Sequence, residues 1–217
     1  MADPHQRLAL YFTDYPKADI ITQKEFPMRS PALILLLAAL AQTPAAHAAA
    51  IDYALDRSAS TVAFETDFGA DLITGSIPLD VADLSLDFDN VANCTITVKL
   101  DVSGAKASFP FAAQALKGPK VLDARAHPRM TFESTSVKRA GDAADVAGNL
   151  TIRGVTKRAT LRAEIFRPKG SAADDFSQLT VRLTGRVKRS DFGATGWSDM
   201  VGDEVRIIIT ARIDAKG

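Results

Sequence analysis

The chain is poor in the residues on which most protein chemistry depends. It has one cysteine, Cys94, so no disulfide can form within it, and Cys94 is far from any site where a lipid anchor would be attached. It has three histidines, and only His127 lies beyond residue 47. A metal site of the usual His/Cys kind therefore lacks ligands. A Ser-His-Asp triad would have to use His127, which stands before Pro128 in a turn, and an exposed turn histidine is the plainer reading. Excess charge is missing too. The 26 basic residues match the 26 acidic ones, whereas a nucleic-acid partner calls for a basic surplus. The carboxylate pair Asp203-Glu204 falls on a strand and points to opposite faces, and Asp174-Asp175 reads as a solvated turn. Gly148 and Gly154 are followed by no helix whose N-terminus could hold a phosphate. No catalytic constellation emerges, so neither an enzyme nor a cofactor is expected.

Long apolar runs are also scarce. The clearest, Ala32–Ala41, is well short of the ~20 residues that span a bilayer. With Arg29 before it and Ala46-His47-Ala48 after it, the run has the charged, apolar and small-x-small parts of a secretory signal. The alternative is a buried core helix. The signal reading makes residues 1–27 an upstream extension that is not native, with translation starting at Met28. Residues 28–48 are then a signal peptide cleaved near Ala48, and 49–217 form one exported, periplasmic domain. At 47% hydrophobic residues, such a domain can bury a full core.

What the chain does have is period-2 alternation. Val62, Phe64 and Phe68 oppose Glu65 and Asp67. Ile73, Ile77, Leu79 and Val81 form the next apolar set, followed by Leu84, Leu86 and Phe88. Cys94, Ile96, Val98, Leu100 and Val102 oppose Thr95, Thr97, Lys99 and Asp101. Met130 and Phe132, then Leu161, Ala163 and Ile165, continue the pattern. Leu179, Val181, Leu183 and Val187 are interleaved with Arg182, Arg186 and Lys188, and Val205 to Ile213 alternates with Arg206, Thr210 and Arg212. Strands with one apolar and one polar face predict an antiparallel all-β fold, either a barrel or a sandwich. One stretch departs from the pattern. Pro110 can open a helix, Phe111–Lys117 favours one, and Gly118-Pro119 ends it.

The segment Gly148–Lys157 reads Gly-Asn-Leu-Thr-Ile-Arg-Gly-Val-Thr-Lys. Leu150 and Ile152 oppose Asn149, Thr151 and Arg153, and Gly154 supplies the backbone freedom for a turn. The segment resembles the signature G-x-L-T-I-x-G-V-T-K of the YceI-like family of extracytoplasmic lipid- and polyisoprenoid-binding proteins. Further likenesses follow in order. Phe64 comes after Asp56 and Ser58. Val121-Leu122-Asp123 is followed by His127-Pro128-Arg129-Met130-Thr131-Phe132-Glu133-Ser134, and Asp191-Phe192-Gly193 by Asp203-Glu204-Val205-Arg206-Ile207. Arg57 and Val121 depart from the family's usual His and Phe.

The resemblance implies a lipocalin-like barrel of about eight strands with a short helical insertion. It also implies a tunnel for an amphipathic lipid (an isoprenoid, a quinone-type molecule or a fatty acyl chain) carried without catalysis. On the apolar face, the expected wall comprises Phe64, Phe109, Phe111, Leu116, Met130 and Phe132. Leu161, Ile165, Leu183, Phe192 and Trp197 complete it. Lys117, Lys120, Arg125 and Arg129, with His127, surround the helical insertion, where they can serve an anionic head group or simply form a solvated basic surface. The family also allows a homodimer. Taken without the resemblance, the same alternation suits a secreted structural or interaction β-sandwich module with a solid core.

Overall fold

Alternation becomes strand almost throughout. The computed structural model describes residues 50–217, so the expected extension at 1–27 and signal segment at 28–48 lie outside the described residues. The strands are β1 (Ile51–Phe68), β2 (Asp71–Ser76), β3 (Leu79–Leu86), β4 (Thr95–Asp101) and β5 (Lys106–Ala107), then β6 (Arg129–Ala140), β7 (Ala143–Ile152), β8 (Val155–Phe166), β9 (Gln178–Lys188) and β10 (Val201–Ala215). Among the described residues one α-helix, α1 (Pro110–Lys117), lies between β5 and β6 and has Pro110 in its first turn. The Gly118 amide closes the helix by donating to the Ala115 carbonyl at 3.0 Å.

All pairings are antiparallel. The sheet runs β10-β9-β8-β7-β6-β4-β3-β1, and β10 pairs again with β1, so eight strands close into a ring. Closure distinguishes this fold from a sandwich, because it leaves these strands without a free edge. β2 continues the line of β3 beyond Pro78, pairing with the upper half of β1 (Phe64 opposite Gly75) and with β5. β1 pairs with β3 only over Ile51–Tyr53.

Two irregularities shift the expected alternation. Opposite β10, residues 57–60 of β1 face the single residue Ala211 between the Asp56–Arg212 and Thr61–Thr210 pairs, which leaves β1 three residues longer there. The Ser60 hydroxyl holds this bulge together, accepting from the Arg212 amide and donating to the Asp56 carbonyl. Arg57 is consequently exposed on the outer wall. Between Leu79 and Val81 a second register shift changes the phase of β3. Leu79 and then Ala82, Leu84 and Leu86 line the interior, and Val81 does not share that face as the plain alternation had suggested. A bulge adds one residue and so moves every later side chain to the other face.

The apolar interior is not one packed mass. One cluster is built on β6, β7 and β8 around Phe132, Val146 and Leu161. A second lies beneath the helical segment around Val102, Leu122 and Met130. A third closes the far end, where Tyr53, Leu179 and Ile213 are fully buried. There Phe88 stacks on Phe176 at 4.2 Å, and the Tyr53 hydroxyl donates to the Phe176 carbonyl at 2.8 Å.

Three Asp-x-Ser triplets fix turns in the same way. Asp56, Asp101 and Asp175 each accept from the amide and the hydroxyl of the serine two residues on. These bonds hold all three carboxyls below the ordinary aspartate value, the serine hydroxyl being the largest cause. Groups with depressed folded values add stability that is complete above the unfolded value of about 4 and lost as pH falls through the folded values. The melting temperature is therefore expected to hold from neutral pH down to mildly acid conditions and to decline below about pH 4. A triple Ser58→Ala, Ser103→Ala, Ser177→Ala variant should melt lower at neutral pH and show a shallower acid decline. An unchanged acid limb in that variant would show that other groups carry the pH dependence.

Candidate functional site

Inward-facing side chains along a closed ring must either meet at its centre or leave it hollow. Here the ring encloses a cavity of about 790 Å³, whereas packed interiors keep few voids larger than a water molecule. Leu183, Val187, Ile207 and Ile209 point inward yet are only half-buried. Their inner ends border empty space.

The cavity stays hollow because large side chains lie along the wall. Phe64 sits opposite Gly75, Phe132 lies over Gly148, and Leu161 lies over Gly185. A Cβ built on any of these three glycines would come within 2.3–2.5 Å of the neighbouring side chain. The glycine leaves a bare stretch of sheet, and the ring or isobutyl group beside it folds across that stretch instead of reaching for the axis. Gly148 opens the signature segment and Phe132 belongs to the block before it, so the two motifs meet as one wall contact.

Among the expected wall residues, Phe64, Met130, Phe132, Leu161, Leu183 and Phe192 border the cavity along its length. Phe109, Phe111, Leu116 and Trp197 border it at the end covered by α1, and Ile165, paired with Val181, borders it near the opposite end. Two charged residues share the lining, and both are committed to the protein. Asp87, buried at the floor, accepts from the Asp89 and Asn90 amides and from Asn93 Nδ2. Arg189, also buried, spends its guanidinium on backbone carbonyls near the mouth. Nε donates to Gly202, Nη1 to Ala194 and Gly196, and Nη2 to Val201, all at 2.6–2.9 Å. Cys94 is half-buried in the lining with Sγ 3.3 Å from the Asp87 amide, and burial pushes its thiol up.

The basic residues stand elsewhere. Lys117, Lys120, Arg125 and Arg129 do not line the cavity. Lys120 reaches over the Trp197 ring, with Nζ 6.0 Å from its centre, and Arg129 pairs with Asp80 on the outer wall. Lys117 ends α1, and Arg125 is exposed in the turn beyond it. His127 is not the exposed turn histidine expected. It is half-buried, with its ring packed beneath Gly154.

The β7–β8 turn explains that packing. Arg153 and Gly154 both have positive φ, 52° and 73°, the conformation a tight two-residue hairpin requires. Arginine is costly in that conformation, but Arg153 Nη1 donates to the Pro119 and Val121 carbonyls at 2.7 Å each. The hairpin thereby anchors the strip that follows α1. Across the mouth the Gly196 amide donates to the Lys120 carbonyl, joining this strip to the loop that Arg189 holds. The sequence carried a signal for Arg189. Extending the alternation of Leu183 and Val187 by one step puts an arginine on the apolar face, a position it can hold only with several partners. Among the described residues no three of His, Cys, Asp and Glu gather to hold a metal ion.

Two substitutions test this geometry. Gly185→Ala should push Leu161 Cδ2 toward the axis, shrink the cavity and cost about 1–3 kcal/mol. Adding Leu161→Ala should recover part of that loss, and strict additivity of the two would refute the wall contact. Arg189→Lys keeps the charge but cannot span four carbonyls from one ammonium. It should lower stability by about 2–4 kcal/mol, with faster amide exchange at Gly196 and Val201 as its local mark.

A family model described as a YceI-like domain matches residues 53–213. A UPF0312 protein of Yersinia pestis is 29% identical over 171 residues, covering 76% of this chain and 88% of its own. A protein named YceI from Salmonella arizonae is 30% identical over 128 residues, or 58% of this chain and 65% of its own. Among solved structures, BcnA of Burkholderia cenocepacia superposes with a TM-score of 0.66 at 22% identity, covering 73% of this chain and 99% of its own. The YCEI protein of Campylobacter jejuni superposes with a TM-score of 0.52 at 23% identity, covering 70% and 85%. At these identities the two structures support the barrel fold alone.

Proposed function

The chain belongs to the YceI-like family, and from that membership and its hollow apolar barrel we propose that it binds and carries an amphipathic lipid in the periplasm without catalysis. The single observation that carries this reading is the 790 Å³ cavity lined almost wholly by aliphatic and aromatic side chains. Its volume lies in the upper part of the ~300–1,000 Å³ range typical of small-molecule sites. Both charges on its wall are engaged by protein groups, so the interior favours a chain of carbon and hydrogen over a polar metabolite. Each methylene transferred from water contributes ~0.8 kcal/mol gross. A polyprenyl or long acyl chain thus gains enough to offset its ordering.

Head-group recognition falls to the mouth. Lys117 and Lys120 are close to where a phosphate or carboxylate would emerge beside Trp197. Export follows from the signal reading of residues 28–48, and a dimer is compatible with the family. The sandwich module with a solid core has the weaker support, because ring closure and an open lumen are both features it would lack.

Native mass spectrometry of the purified protein, followed by organic extraction and identification of the extract, tests the reading. One lipid per chain is expected. Protein that arrives empty and stays empty when offered polyprenols and fatty acids would overturn it. Phe132→Ala gives a second check. The ring rests against Gly148 and also borders the lumen, so its loss should cost less than the ~3–5 kcal/mol of a filled core. Lipid retention should fall more visibly than the melting temperature. A full core penalty with unaltered retention would count against a lipid lying along Phe132.

A further inference from the structure

We infer that the rim of the cavity is a docking surface for the face of a lipid bilayer bearing anionic head groups. Apolar side chains of a water-facing domain normally turn inward, yet around this mouth they turn both ways. Phe111 borders the cavity and is nevertheless 85% exposed. On the opposing loop Trp197 and Met200 are 41% and 49% exposed and border the same cavity. Phe109 and Phe68 meet at 6.2 Å beside them, and the Gly69 amide bonds the Met200 carbonyl, which joins these groups into one rim. Trp197 is held there at some cost, with φ at +54°, a conformation that side chains of its size seldom adopt.

Charge identifies the partner. From Val102 to Leu122 the chain contains no Asp or Glu but includes Lys106, Lys117 and Lys120. Asp123 directly follows this stretch, and Asp67, Asp71 and Asp199 stand beside the other rim segments, with Asp67 paired to Arg206, so the basic side of the mouth is the α1 segment itself. Exposed aromatics flanked by lysine suit the interface between head groups and acyl chains, where an indole ring sits comfortably and each lysine is drawn to an anionic surface. α1 contributes no fully buried residue, and Leu116 is its contact with the cluster beneath, so its outer side can settle into that interface while Leu116 stays packed. A lipid leaving the bilayer would then pass Phe111 and Trp197 into the lumen without crossing water. This purpose rests on the carrier reading, whereas the exposed rim and its charge do not.

Flotation with vesicles provides the test, comparing phosphatidylcholine alone with an equimolar mixture of phosphatidylcholine and phosphatidylglycerol. Trp197 is the only tryptophan in the chain, so quenching by brominated acyl chains reports its depth directly. Binding to the anionic vesicles with quenching of Trp197 is expected, with little binding to the neutral ones. Phe111→Ser should weaken partitioning roughly tenfold or more, and Lys120→Gln, at the lysine over the Trp197 ring, roughly fivefold, with the latter loss reproduced by raising salt. Protein that carries lipid by mass spectrometry yet neither floats nor is quenched would overturn the docking surface alone. Protein that floats and is quenched but never holds lipid would leave the docking surface standing and overturn the carrier reading. Flotation indifferent to Phe111→Ser would refute this rim as the contact. A dimer in solution that Phe111→Ser dissociates, without vesicle binding, would assign the rim to a second copy and refute the bilayer.

Discussion

The pairing of β1 with β10 is the constraint on which the rest depends. Without it the sheet would have two free edges and would have to fold onto itself or onto another chain to cover its apolar face. With it, every strand of the ring is held by backbone hydrogen bonds on both sides, at least over part of its length, and the interior need not be filled to keep the wall together. The ladder runs from Tyr53 opposite Ala215 to Phe68 opposite Val201. On its outer face Arg206 ties Glu65 and Asp67 across the seam. A wall that stands through its own hydrogen bonds can afford a hollow centre; a sandwich, which stands only by pressing two apolar faces together, cannot.

The outward faces confirm which side the barrel turns to water. Arg182, Arg186 and Lys188 on β9 and Arg206 and Arg212 on β10 project outward, and the apolar residues between them line the lumen. That arrangement is the reverse of a porin-type wall, whose apolar band faces lipid. The apolar surface open to the outside is concentrated at the ends, and most of it at the mouth. Two arginines organise that end. Arg189 holds one loop from within, and Arg153 anchors the strip beyond α1 from the hairpin turn. Each satisfies several carbonyls that short loops would otherwise leave bare, which is why arginine serves at both positions and a lysine would not.

Much of this was legible in the sequence, because period-2 patterning reports directly which residues share a face of a strand. The alternation of Cys94 to Leu100 and of Val205 to Ile213 needed no adjustment, and the helix between Pro110 and Lys117 was marked by its own start and stop residues. What escaped was whatever depends on one residue too many or on distant partners. The bulge at Asp80 reversed Val81, and nothing in a local window distinguishes a bulge from a continued strand. His127 looked like a surface residue because the hairpin that covers it lies 26 positions further on, at Arg153. Hollowness was out of reach of pattern alone. Phe132 reads the same in a solid core as in a wall, and only its position over Gly148 tells the two apart.

The empty lumen also bears on how such a fold keeps its stability. A cavity of this size forfeits the dispersion contacts that a filled core would supply, and the three separate apolar clusters have to compensate at the floor, beneath the helix and along β6 to β8. On the proposed function the ligand is the missing core, and a chain lying along Phe132, Leu161 and Leu183 restores the contacts the fold gives up. Binding to the folded state alone then raises stability by RT ln(1 + [L]/Kd), so the loaded and empty forms differ in stability as well as in contents. The wall-lying side chains set that difference. Filling the lumen from the protein's own side would remove the need for a ligand, and the glycines at 75, 148 and 185 keep that from happening.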